Sequence, residues 1–466
     1  MASNSNKVMI LEVCRISPSM ESPESALVLS LTFTYFDCFW FRFLPVERIF
    51  FYELDVPSSA LFYSVILPKL KRSLSITLSY FLPLAGNLTW PLDAKPVLSY
   101  VPNVHDAISL TIAESNADFK HLSGNGIREA VESHPYIPEL HLSESSAPII
   151  ALQVTLFPDQ GFCIGVSAHH ATLDGKSTIM FTKAWAHICK QVITKELEEY
   201  PSLSPELTPF LDRSSVHDPD GLDMEYLKKF PANIKFSPKS LELVPAFYEM
   251  SGSVRATFEV SVQDIKRIRQ KVVSKLKKPL HPSTFVLILS YTACCVVRAK
   301  GVEGNTQVYF AFAADCRARL DPPMAANFFG NCATPLGVYI TAGDLVGEYG
   351  VVTAAEMLSE EIKGLEVRGV YETAKQNLGK LIYMRIETNK PKMFVSVAGS
   401  PQFRVYETDF GFGKPKKVQI SSVDKTGAIS MAESKDGSGG VEIGLVLKKH
   451  EMEVFESVFV DGLKDV

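Results

Sequence analysis

From Phe162 to His170 the chain alternates strictly, so that Phe162, Ile164, Val166, Ala168 and His170 share one face of a strand. Cys163, Gly165, Ser167 and His169 take the other face. The period then changes. Asp174-Gly175 reads as a turn, and residues 176–190 carry Ile179, Met180, Phe181, Ala184, Trp185 and Ile188 at helical spacing. The same spacing predicts a helix over 69–80, with Leu70, Leu74 and Leu78 on one face. Further along, 253–260, 308–314 and 441–447 read as strands. Helices are predicted over 262–275 and 283–298, with a terminal one from His450. Asp436-Gly-Ser-Gly-Gly440 reads as a hairpin turn. The apolar run 26–44 is broken by Asp37 and Arg42, which excludes a membrane span and predicts strand and loop.

Regular patterning lapses over 191–245, where Pro201, Pro205, Pro209, Pro219, Pro231, Pro238 and Pro245 punctuate a charged stretch. That composition describes a crossover linker between an N-terminal domain, 1–190, and a C-terminal domain, 246–466. Strands alternating with helices on both sides of it predict an α/β fold with mixed sheets. At 466 residues and 46% hydrophobic, the chain can bury one very large core or two ordinary ones. A net charge of −5 argues against a nucleic-acid partner. The eight cysteines form no C-x-x-C pair, and Cys294-Cys295 falls inside an apolar helix, so free buried thiols are expected. Residues 1–7 lack the apolar core of a signal peptide; with the cysteine usage this points to the cytoplasm.

His170 and Asp174 are the candidate chemistry. A histidine between a buried strand and a helix start is fixed in place, and an unperturbed pKa of about 6.5 leaves it able to accept a proton. Asp174 invites a His–Asp dyad, but at a helix start a carboxylate more simply caps free N–H groups. His169 points the other way and reads as structural. The H-x-x-x-D spacing alone is common by chance, so a second signature is needed.

Tyr406-Glu-Thr-Asp-Phe-Gly-Phe-Gly-Lys-Pro415 supplies it. The chain resembles the plant BAHD acyltransferases, which pair an HXXXD motif with a later DFGWG; here Phe412 stands for the tryptophan. Asp321-Pro-Pro-Met-Ala-Ala-Asn-Phe-Phe-Gly-Asn-Cys332 is similar to the YFGNC block of the anthocyanin and flavonoid branch, with Phe328 for tyrosine. Leu31-Thr-Phe-Thr-Tyr-Phe-Asp37, Trp40, Pro45 to Tyr52 and Phe81-Leu-Pro-Leu-Ala-Gly-Asn87 extend the likeness, which runs from about residue 8 to the C-terminus.

The resemblance implies two chloramphenicol acetyltransferase-like domains with an active-site channel between them, and His170 as the general base. It implies that Asp174 turns from the cleft and pairs with an arginine of the second domain, for which Arg317 is the matching candidate. Asp409 then belongs to a structural motif; a phosphate-cradling reading of its glycines is weak, because the strand-turn-helix context is missing. Ser283 and Thr284 read as a helix cap that could also meet the coenzyme's diphosphate. Lys414, with Lys416 and Lys417, reads as a solvated face or a phosphate contact. Thr334 and Ser396 fall near motifs that line the family's channel.

The function implied is transfer of an acyl group from acyl-coenzyme A to a sugar hydroxyl of a flavonoid, anthocyanin or simpler phenolic glucoside, with no metal and no permanently bound cofactor. Malonyl-coenzyme A is the expected donor, and Lys176 either meets its carboxylate or is an ordinary exposed lysine. The rivals are a hydroxycinnamoyl transferase and a non-catalytic member of the fold; a serine hydrolase is disfavoured because no G-x-S-x-G elbow is present. A monomer is expected, with no membrane partner.

Overall fold

The computed structural model describes residues 8–54, 58–102, 106–194, 200–229, 237, 239–246, 251–276, 279–386 and 392–464. Residues 1–7 and two of the linker prolines, Pro231 and Pro238, lie outside them. Two large mixed sheets carry the architecture. The first runs Val8–Ile16, Ile108–Ser115, Ile150–Phe157, Gly161–Ala168, Val46–Glu53, Lys417–Ile420. The second runs Ala333–Thr341, Gln307–Asp315, Lys392–Ala398, Ile429–Glu433, Val441–Lys448, Ser253–Val260, Arg128–Glu129. Each sheet is edged by a strand from the other half of the chain: Lys417–Ile420 pairs with Val46–Glu53, and Arg128–Glu129 pairs with Ser253–Val260.

Gly161–Ala168 is buried on both faces and paired on both edges, with Ile150–Phe157 and Val46–Glu53. Its alternation sorts as expected. Phe162, Ile164, Val166 and Ala168 join the main core, while Cys163 packs with Ile49, Phe51, Phe119 and Tyr136 in a smaller one. The helix that follows spans Gly175–Thr194 and packs on Leu67–Tyr80, whose Leu70, Leu74 and Leu78 are fully buried. The Trp185 indole N–H donates across that contact to the Leu70 carbonyl (3.2 Å) and the Ser73 hydroxyl (3.0 Å). In the second half, Thr284–Lys300 is apolar nearly all round and buried accordingly. It ends at Gly301, whose φ of 57° is the left-handed stop that favours glycine. All eight cysteines are free, and seven are buried. Asp436–Gly440 joins two antiparallel strands as a hairpin.

Two expectations are corrected. Tyr35–Trp40 is a helix, not strand or loop. Asp37 starts it rather than interrupting the apolar run, accepting hydrogen bonds from the Thr34 backbone N–H and hydroxyl at 2.9 Å each. The described residues of 191–245 are also more ordered than the prolines of that stretch suggest. Leu222–Lys229 is a helix capped by Asp218, whose carboxylate accepts the N–H groups of Leu222 (2.7 Å) and Asp223 (2.9 Å). Its Leu222 and Tyr226 are buried. Among the described residues, no helix is long and apolar enough to cross a membrane.

Candidate active site

The chain leaves the rigid strand at Ala168 and turns at once. The His169 N–H donates to the Ile149 carbonyl (2.8 Å), and the Thr172 N–H and hydroxyl both return to the His169 carbonyl (3.1 and 2.8 Å). The His169 ring is buried, its Nδ1 accepting the Ala171 N–H at 3.2 Å, and burial pushes its pKa down to about 3. It is a fixed neutral wedge, a structural residue set by the turn that follows the strand. His170 is held differently. Its ring lies flat on the Trp40 indole, centroids 4.4 Å apart and planes 1° apart, with the Phe43 ring at 6.0 Å. Its surface is only partly covered, while Nδ1 is buried without a hydrogen-bond partner among the described residues.

Burial pushes the His170 pKa down to about 4, against the opposing charge of Asp174. The ring is therefore neutral at physiological pH and ready to accept a proton. The acid limb of kcat/KM is expected near pH 4 and not at the ordinary histidine value of about 6.5. Rate measurements in overlapping buffers check this; an inflection near 6.5 contradicts it. Because the folded pKa lies below the unfolded one, the unfolded chain binds the proton more readily between them. His170 thus adds stability above about pH 6.5 that is lost as pH falls towards 4.

Asp174 faces away from this ring. Its Oδ1 accepts the Ser177 N–H at 2.8 Å, the helix cap. Its Oδ2 accepts the Cys332 N–H at 3.2 Å and meets Arg317 Nη2 at 2.8 Å. Arg317 is 2% exposed and also holds Asp315 (2.9 Å), the Ser177 hydroxyl (3.1 Å) and the carbonyls of Phe328 and Gly330. The Asp174–Arg317 pairing implied by the resemblance is thus present, and a His–Asp dyad is not. The block 328–332 also grips the histidine itself. The Asn331 side-chain amide donates to the His170 backbone carbonyl at 2.9 Å and to Asp37 at 3.2 Å, while the Trp40 indole N–H donates to the Ala333 carbonyl at 3.3 Å. Asp37, Trp40 and Asn331 were visible within the quoted family blocks, but no local pattern assigns them these contacts.

The remaining candidates separate. Lys176 is half-exposed and pairs with Asp315 at 3.1 Å. Ser283 caps its helix, accepting the Val286 N–H at 3.3 Å, and the Thr284 hydroxyl accepts from Arg269 at 3.2 Å. Thr334 is buried, within 3.3 Å of the Asn377 amide, and Ser396 is half-buried on its strand. Lys414 is exposed, as is Lys416, which pairs with Glu53 at 2.8 Å. Lys417 corrects the reading of that run as a solvated face: it is 4% exposed and paired with Glu442 at 2.9 Å, because it begins the strand that crosses to the first sheet.

Asp409 closes a turn, accepting the N–H groups of Gly411 (2.8 Å) and Gly413 (3.1 Å) and pairing with Lys190 (2.7 Å). Both glycines have φ above 90°, where a side chain would be strained. Phe410 is fully buried between Trp185 (4.8 Å) and Tyr52 (5.7 Å). Trp185 and Lys190 lie three and more helical turns beyond Asp174, so this motif anchors the far end of the helix. Among the described residues, no group of three or more His, Cys, Asp or Glu is placed to hold a metal ion.

This geometry has relatives. A family model described as the Transferase family matches residues 6–461. A malonyl-CoA:anthocyanidin 5-O-glucoside-6''-O-malonyltransferase of Arabidopsis thaliana is 42% identical, covering 100% of both chains. An agmatine coumaroyltransferase of the same plant is 39% identical over 97% of this chain and 98% of its own. Among solved structures, vinorine synthase superposes with a TM-score of 0.67 at 21% identity, covering 96% of each chain, and so shares the fold. A full-length match in sequence, with the same two-sheet fold and an intact HXXXD site, places this chain in the BAHD acyltransferase family.

Proposed function

We propose that this acyltransferase moves a malonyl group from malonyl-coenzyme A to a sugar hydroxyl of a phenolic glucoside, of the flavonoid, anthocyanin or simpler phenolic class. The observation that carries the reading is His170: neutral by burial, stacked on Trp40 and tied through its carbonyl to Asn331. The acceptor hydroxyl attacks the thioester carbonyl as His170 takes its proton. The tetrahedral intermediate then collapses, the C–S bond breaks, and the proton passes to the departing thiolate. The products are the malonyl ester and free coenzyme A, with no acyl-enzyme required. The anthocyanidin glucoside malonyltransferase, matched end to end, supports the donor and acceptor class.

In this reading residues 1–190 and 246–466 are the two domains, joined by 191–245, and the coenzyme runs past Ser283, Thr284 and Lys414. The protein acts as a monomer in the cytoplasm. Lys176 meets the donor's terminal carboxylate, because an unpaired charge in a partly dry channel is costly. Lys176 gives one N–H to Asp315 at 3.1 Å and its side chain is half-exposed, so its ammonium has further donors to offer a second carboxylate. Lys176→Ala is expected to raise the KM for malonyl-coenzyme A about fivefold and to spare acetyl-coenzyme A, which has no second carboxylate. Steady-state kinetics on a phenolic glucoside with malonyl, acetyl and coumaroyl donors test both claims. An equal effect on malonyl and acetyl transfer removes Lys176 from recognition. A parent preference for coumaroyl-coenzyme A establishes the second reading, hydroxycinnamoyl transfer, which the 39% identical coumaroyltransferase favours.

A further inference from the structure

We propose that Arg213 and Asp37 are positioning residues for His170, acting through Asn331, so that the linker between the two halves helps to set the base. The inference rests on His170 being that base. Every link is a direct contact. Arg213 Nη1 lies 2.5 Å from Asp37 Oδ2, and the Asp37 carboxylate has no exposed surface. Asp37 Oδ1 accepts the Asn331 amide at 3.2 Å, and the same nitrogen donates to the His170 carbonyl at 2.9 Å. That carbonyl belongs to the peptide leaving His170, so holding it fixes the backbone from which the ring projects.

Asp37 is also tied to the ring's stacking partner. It sits three residues before Trp40 on Tyr35–Trp40, so the helix that presents the carboxylate to Asn331 also presents the indole on which His170 stacks. A buried carboxylate of this kind needs a countercharge, since unpaired it costs several kcal/mol. Arg213 provides one from the linker.

The linker is pinned at this point. The Phe210 N–H donates to the Asn327 carbonyl (3.0 Å) and the Phe329 N–H to the Phe210 carbonyl (2.9 Å), a two-bond bridge onto the loop that carries Asn331. Arg213 also packs on Gly330, where an added Cβ would come within 3.1 Å of its Nη2. The linker is therefore docked against the residue that grips the histidine.

The test compares Arg213→Gln and Arg213→Lys in the full-length protein, each also in a His170→Ala background, using the donor and glucoside the parent turns over best. Arg213→Gln is expected to lower kcat about tenfold through misplacement of the base, with both KM values within about twofold of the parent. Arg213→Lys should restore most of the loss, because it keeps the countercharge. In the His170→Ala background, Arg213→Gln should cost nothing further. Coenzyme A titration by calorimetry confirms that each variant is folded. If Arg213→Gln leaves kcat at the parent level, or lowers the residual His170→Ala rate by the same factor, the positioning role is overturned. Should Arg213→Gln fail to fold, Arg213→Lys with a tenfold loss that persists without His170 overturns it equally. A His170→Ala protein with parent activity instead overturns the assignment of the base.

Discussion

His170→Ala is expected to lose at least about a hundredfold in kcat while still binding coenzyme A, the largest single effect on turnover in this molecule. A positioned base is typically worth 10²–10⁴ in rate, and a hundredfold is about 2.7 kcal/mol of barrier. The next histidine cannot replace it. His169 is buried among Phe41 and the turn backbone, with its Nδ1 already accepting a hydrogen bond. Nor can Asp174, whose two oxygens serve Ser177, Cys332 and Arg317. Binding should survive, because Ser283, Thr284 and Lys414, the proposed coenzyme contacts, belong to other elements. Release of coenzyme A thiol measures kcat, and calorimetry measures binding. Turnover close to the parent's would remove His170 from the mechanism; loss of turnover together with loss of binding would point to a collapsed site.

The parts of this site that could be read from sequence are those set by local periodicity. The change from period two to period 3.6 between Ala168 and Lys176 placed the histidine just past a strand end and the aspartate at a helix cap. The helix at Tyr35–Trp40 was hidden for the opposite reason. Its six residues are too few to establish a period, and the dense aromatics suit either element; only Thr34 and Asp37, spaced as a capping pair, announced it. Lys417 misled because nothing near it in sequence shows that its strand completes the sheet of the other half, or that Asn125 and Glu442, the latter on a strand of the second sheet, meet its ammonium. Asn331 holds a carbonyl 161 residues away, a contact that the family block locates but no spacing rule predicts.

Breaking the Asp174–Arg317 pair should produce the largest loss of stability. The two side chains are 7% and 2% exposed, and removing one member of a buried pair typically costs about 3–5 kcal/mol, since the other is left without compensation. The two single variants should differ. Arg317→Ala leaves the buried Asp174 without its countercharge and takes a donor from the carbonyls of Phe328 and Gly330, so its cost lies at the upper end, while the half-exposed Asp315 keeps Lys176. Asp174→Asn keeps the shape but not the pattern of donors and acceptors. One oxygen remains for a single side of the carboxylate, while the new NH₂ must face either the Ser177 N–H or the Cys332 N–H and Arg317. Both variants should lower kcat by loosening the loop that carries His170, without creating a new pH optimum, because Asp174 takes no proton in the reaction. Chemical denaturation of both singles and the double variant supplies the decisive comparison. Partners in one pair share a single loss, so the double variant should cost clearly less than the sum. Additive costs would mean that the 2.8 Å contact contributes nothing of its own, and that Asp174 holds the loop only as a helix cap.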